Sequence, residues 1–165
     1  MIAVRMCRSL ALSGALLGLL LLGGCASRQP ETKVEQPAVT PLPLPPAFGP
    51  QEIVGRWGYA SFTKAEDRAR TEAAARRQCG KPYIIGRGPS GGVMMHLADQ
   101  AKPAELQLKG GSDGKTYIGP GPEPAGAQDR EVISFDGRVL ILHWMDSEVQ
   151  SRYGYGVYVR CAPRA

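Results

Sequence analysis

The sequence predicts an α+β domain: one helix docked on a curved antiparallel β-sheet whose strands are short enough to roll into a small β-barrel. Three observations carry this expectation. A single alanine- and arginine-dense segment runs into Gly80 and Pro82, the residues that end helices. Eight short β-rich runs, seven of them after that segment, are separated by glycine, proline and aspartate. Two cysteines, Cys79 and Cys161, stand where the helix ends and where the last run ends.

The elements follow in chain order. Arg5 and Arg8 make a short basic start, Leu10 to Leu22 is apolar, and Leu22-Gly23-Gly24-Cys25 closes the stretch with small residues. An apolar run that is too short to span a bilayer and ends in glycines has the layout of a secretory signal peptide. Leu22-Gly23-Gly24-Cys25 resembles the lipobox of bacterial lipoproteins, a resemblance confined to the first 27 residues. It implies that residues 1–24 are removed as signal peptide and that Cys25 carries the lipid. The implied address is a lipid anchor in the outer membrane, facing the periplasm, with Ala26 after the cysteine matching that sorting choice. Residues 25–50 then read as a tether, because seven prolines (Pro30, Pro37, Pro41, Pro43, Pro45, Pro46, Pro50) exclude regular helix and favour extended polyproline backbone. At ~3.1 Å per residue it reaches about 75 Å.

Residues 51–165 are the globular domain, long enough for one core and too short for two. Ile53 to Phe62 reads as a strand. Thr63-Lys64-Ala65-Glu66 has the spacing of a capping box, so a helix is expected from there to about Gln78. Ala65, Ala69 and Ala73 recur every four residues and offer a small-residue ridge for close docking, with Glu72 and Arg76 placed to pair at its edge. The remaining strands are expected at 83–85, 93–97, 105–109, 115–118, 131–135, 138–144 and 153–161. Asp136-Gly137 marks a hairpin with a primed turn. Residues 139–144 are apolar on both faces, as a strand covered on both sides requires. In the last strand Tyr155, Val157, Val159 and Cys161 share one face, and Tyr158 and Arg160 the other. Gly119 to Gly126 is a surface loop.

Charge and cysteine usage restrict the function classes. The chain has 20 Lys and Arg against 15 Asp and Glu; without Arg5 and Arg8 it has 18 against 15. The basic residues are interspersed with acids, which argues against nucleic-acid binding. In an oxidising compartment Cys79 and Cys161 are expected to form a disulfide between the helix end and the last strand.

Several motifs suggest chemistry and fail on context. Gly86-Arg87-Gly88-Pro89-Ser90-Gly91 has the G-x-G-x-x-G pattern, but strand and not helix follows, and Pro89 removes an amide that a phosphate would need. Gly88-Pro89-Ser90-Gly91-Gly92 fits G-x-S-x-G and resembles the segment around a protease nucleophile. However, both histidines follow Ser90, and the chain is too small for either the two-barrel or the hydrolase fold. Gly110 to Thr116 misses the first glycine of a phosphate loop, since Lys109 occupies it. His96 and His143 lack a third metal ligand, and Trp57 and Trp144 read as core anchors. Gly55-Arg56-Trp57 resembles the Gly-x-Trp of lipocalins and of periplasmic protease-inhibitor barrels, although the early helix departs from both families.

The resulting expectation is a non-enzymatic lipoprotein with no cofactor and no metal, a binding or assembly module at the cell envelope. Its expected partners are the lipid bilayer, through Cys25, and an envelope protein or cell-wall component. Arg68, Arg70, Arg77 and Arg87 are the candidate contacts, being suited to carboxylates on a partner. The alternative is a periplasmic inhibitor of a protease or lysozyme, presenting the Gly119–Gly126 loop or the Gly86–Gly92 turn.

Overall fold

The computed structural model describes residue 42 and residues 44–163. The expected signal peptide, Cys25 and most of the tether lie outside the described residues. Eight antiparallel strands close into a barrel in simple sequence order: β1 (Gly55–Phe62), β2 (Tyr83–Arg87), β3 (Val93–His96), β4 (Pro103–Gly110), β5 (Thr116–Gly119), β6 (Arg130–Phe135), β7 (Val139–Trp144) and β8 (Tyr155–Arg160). Closure comes from β1 and β8, paired from Trp57↔Arg160 to Phe62↔Tyr155. A closed barrel leaves no open sheet edge, so the curved sheet of the sequence reading takes its fully rolled form.

Alternation along each strand divides the apolar residues into two cores. Trp57, Ile85, Val93, Met95, Leu106, Ile118, Leu140, Leu142 and Tyr158 fill the barrel interior. Phe62, Ile141, Val157 and Val159 face outward and are covered by α2 (Arg68–Arg77) through Ala75. The two-faced apolar character of residues 139–144 follows from this: Leu140 and Leu142 point in, Ile141 points out under the helix. Tyr158 and Val157/Val159 divide in the same way, as expected for the last strand.

The connections give the barrel two unlike ends. Tight hairpins at 88–92, 111–115 and 136–138 lie at one end together with α1 (Pro50–Ile53). The Trp57 indole N–H donates to Ile53 O at 2.8 Å, and the Arg160 guanidinium stacks over Trp57 at 4.2 Å while donating to backbone carbonyls of Glu52 and Val54. The preceding chain is strapped there as well, with Ala47 N–H bonded to Thr116 and Phe48 packed 4.5 Å from Phe135. This end is plugged. The longer connections, including α2, the 97–102 loop, the 120–129 loop and α3 (Ser147–Tyr153), surround the other end.

Several expectations are corrected. Among the described residues there are three short α-helices and not one. Pro50 at the first helical position starts α1, and Asp146, accepting from the amides of Glu148 and Val149, caps α3. The Thr63/Glu66 capping box does not form: Ala65–Asp67 is a 3₁₀ turn, α2 begins at Arg68, and its N-cap Asp67 makes no side-chain cap bond. The docking ridge is Thr71 and Ala75, with Ala65 and Ala69 exposed. Glu72 pairs with Arg68 at 3.0 Å instead of with Arg76. Close docking is permitted from the sheet side, because a Cβ on Gly58 would lie 1.9 Å from Ala75 O. In the β6–β7 hairpin only Gly137 has positive φ (81°), so the primed-turn expectation of two such residues gives way to a turn with one. Cys79 and Cys161 form the expected disulfide, with Cα atoms 5.6 Å apart.

Candidate functional site: an aromatic mouth around a buried arginine

The open end of the barrel holds a cavity of about 240 Å³ lined by Tyr59, Tyr83, His96, Leu97, Ala98, Asp99, Arg130, Trp144, Tyr153 and Tyr158. Its residues come from β1, β2, β3, β6, β7 and β8, from the 97–102 loop and from α3, and register brings the strand residues together. Tyr59 on β1 faces its partner Tyr158 on β8, with ring centroids 4.9 Å apart. Tyr83 opens β2 and packs edge-on against Tyr158 at 5.4 Å and His96 at 5.5 Å. The Tyr83 hydroxyl accepts from the His96 amide at 2.8 Å, tying the start of β2 to the end of β3.

Arg130 opens β6 and pairs in register with Trp144, the last residue of β7. Its side chain points inward, and the guanidinium lies 4.1 Å from the centre of the Trp144 ring. Only 1% of Arg130 is exposed. One terminal nitrogen donates to the His96 carbonyl, while the buried Nε–H has no acceptor. Among the described residues no carboxylate pairs with Arg130. Its sequence neighbour Asp129 is held instead by Lys109 at 2.7 Å. The acid on the rim, Asp99, accepts from the Tyr153 hydroxyl and pairs with Arg152 at 3.1 Å. A guanidinium never loses its proton, so its burial requires stacking, hydrogen bonds or an anion to offset desolvation.

The surrounding phenols are shifted in one direction. Burial pushes Tyr59, Tyr83 and Tyr158 above the usual phenol range, with the Arg130 charge opposing the shift in each case. At neutral pH these hydroxyls are O–H donors. The site is therefore a cup with aromatic walls, one fixed positive charge and neutral donors. Binding of a small molecule fits such a cup.

The residues singled out by sequence are distributed elsewhere. Arg68, Arg70 and Arg77 are exposed on α2, where Arg68 is paired with Glu72 and Arg70 with Asp67. Arg87 stands alone at the plugged end of β2, so the four arginines do not form one surface. Ser90 is exposed in the β2–β3 turn, its amide bonded to Glu105 at 2.8 Å, and His96 lies at the opposite end of β3. His143 faces outward against Tyr155, with ring centroids 5.2 Å apart, away from the cavity that His96 lines. No group of three or more metal-ligating side chains occurs among the described residues. No described helix is long and apolar enough to cross a membrane.

Sequence reasoning missed Arg130 altogether and read Trp144 as a core anchor. The available signal was alternation: Trp57 and Tyr59 on one face of β1, with Tyr158 opposite on β8. Compared with known protein families, with curated proteins and with solved structures, the chain matches none.

Proposed function

We propose that this protein is a non-enzymatic binding barrel displayed at the cell envelope, anchored through a lipid on Cys25 and taking a small ligand into its open end. The observation that carries the reading is Arg130: a permanently charged side chain, 1% exposed, without a carboxylate partner in the wall of an aromatic cavity. An uncompensated buried charge costs several kcal/mol, and charges kept in such places are concentrated at functional sites. Thermal-shift measurements on the full chain in detergent, against a panel of small anionic and neutral metabolites, test it. Ligands that raise the melting temperature of the wild-type protein and not of Arg130→Gln support the reading; a panel without effect on either overturns it.

The anchor has its own test. Cys25→Ser is expected to leave unprocessed or soluble protein, because the diacyl group supplies about 0.8 kcal/mol per buried CH₂. Membrane retention and an unchanged mass in fractionation and mass spectrometry would remove the anchor from the proposal.

A second reading, inhibition of a protease or lysozyme, draws on a different observation. Lys109, buried beneath the 120–129 loop, donates to Pro120 O, Glu123 O and Asp129 Oδ1 at 3.2, 2.7 and 2.7 Å. An exposed loop fixed from below is what occupation of an active site requires. Titration of periplasmic proteases and lysozyme with the purified protein decides it.

A further inference from the structure

We infer that the open-end cavity takes a small monocarboxylate, its carboxylate set against the Arg130 guanidinium and its apolar body between Tyr59, Tyr158 and Trp144. This rests on the proposal that the cavity is a binding site, and it adds the chemical class of the ligand.

The charge count favours one negative charge over two. Among the described residues Arg130 is the only lysine or arginine in the cavity wall. The nearest other guanidinium on the rim, Arg152, is already engaged by Asp99 at 3.1 Å and lies over the Tyr153 ring at 5.3 Å. Asp99 also lines the cavity, but it is held by Arg152 and the Tyr153 hydroxyl, so that pair adds no net positive charge for a ligand. Arg130 can balance one negative charge, and the second charge of a phosphate dianion would have no cation of its own.

The hydrogen-bond inventory agrees. One terminal nitrogen donates to the His96 carbonyl, Nε–H is closed off without an acceptor, and no carboxylate of the described residues pairs with the guanidinium, so a terminal N–H facing the cavity is the donor left for a group that only accepts. An ionised carboxylate only accepts, and its planar pair of oxygens matches the guanidinium fork. Tyr59 and Tyr158 line the same cavity, and burial keeps their phenols protonated, so each is an O–H donor within it. The rest of the lining is aromatic or aliphatic, which suits an apolar or planar body. At about 240 Å³ the cavity is smaller than the roughly 300–1,000 Å³ of drug-sized sites, so the body is about the size of one ring.

Calorimetric titration of the full chain in detergent with phenylacetate, phenylacetamide and phenylphosphonate, in mildly alkaline buffer, separates the classes. The three probes share a body and differ in head group. Phenylacetate is expected to bind roughly tenfold or more tighter than either of the others, the size of a charge-assisted hydrogen bond. Arg130→Lys is expected to reduce that preference and Arg130→Gln to abolish it. The selectivity series on wild-type protein stands even where a variant fails to fold. Equal binding of phenylacetamide would overturn the monocarboxylate and leave a cavity that binds neutral ligands. Tightest binding of phenylphosphonate would overturn it in favour of a dianion. Absence of binding by all three also overturns it, and the wider metabolite panel then decides whether the cavity binds at all.

Discussion

Arg130 is held where its charge has little solvent and no carboxylate, so its contributions to stability and to binding should have opposite signs. Replacing a buried charge with an apolar side chain of similar length is often neutral or stabilising. Arg130→Met is therefore expected to keep or raise the unfolding free energy, by up to about 1 kcal/mol, while losing anion binding; chemical denaturation and calorimetry on the same samples check both halves. Lys109 predicts the reverse. It is 7% exposed and meets three acceptors, so Lys109→Met leaves Asp129 charged and unpaired beneath the loop. A loss of about 3–5 kcal/mol is expected from guanidinium chloride unfolding. Neither role was legible in the sequence, where Arg130 and Lys109 are two basic residues among many. Their burial follows from strand register and from the loop that closes over Lys109, and both are long-range facts. Cys79 and Cys161 were legible because, with Cys7 and Cys25 set aside in the expected leader and anchor, they are the remaining pair of the chain's four cysteines.

The strands were legible as elements because alternation and turn residues act locally: all eight expected runs are strands, with ends shifted by a few residues. The helices were less so. α3 has a true signal in Asp146 followed by Glu148, but residues 147–153 lack the apolar periodicity that would support it. The α2 start was misjudged because Thr63 and Glu66 match a pattern whose geometry the 3₁₀ turn at Ala65–Asp67 does not adopt. Docking of α2 depends on Gly58, where added volume would collide with the Ala75 carbonyl and not with a movable side chain. Gly58→Ala is expected to cost about 1–3 kcal/mol, measured as a lower melting temperature with the disulfide intact. An unchanged melting temperature would mean that the helix can lift without cost.

Closure of the barrel buries Tyr59, Tyr83, Tyr117 and Tyr158 in environments that favour the protonated phenol, and the bond to Asp99 does the same for Tyr153. For Tyr117 burial, followed by its bond to Asp113, pushes the phenol up to about 12. In the unfolded chain phenols ionise near their ordinary value of about 10. The unfolded state therefore releases protons first, and stability that is complete below about pH 10 falls as pH rises toward and through the folded values. Urea midpoints at about pH 9 and about pH 11 are expected to differ, the higher pH being weaker, and absorbance titration should show late-ionising phenols. The sequence made a rolled sheet legible, but not which end is plugged. That end has a mechanical consequence. Residues 47–53 are fixed to the plugged end of the barrel, through the Ala47–Thr116 bond, the Phe48–Phe135 contact and α1. Any load arriving from the N-terminal side is borne there first and passes into β1, whose partner β8 is tied to the end of α2 by the disulfide. Those two strands also carry Tyr59 and Tyr158, so tension applied from the N-terminal side would pass through the wall of the cup and alter its grip on a ligand.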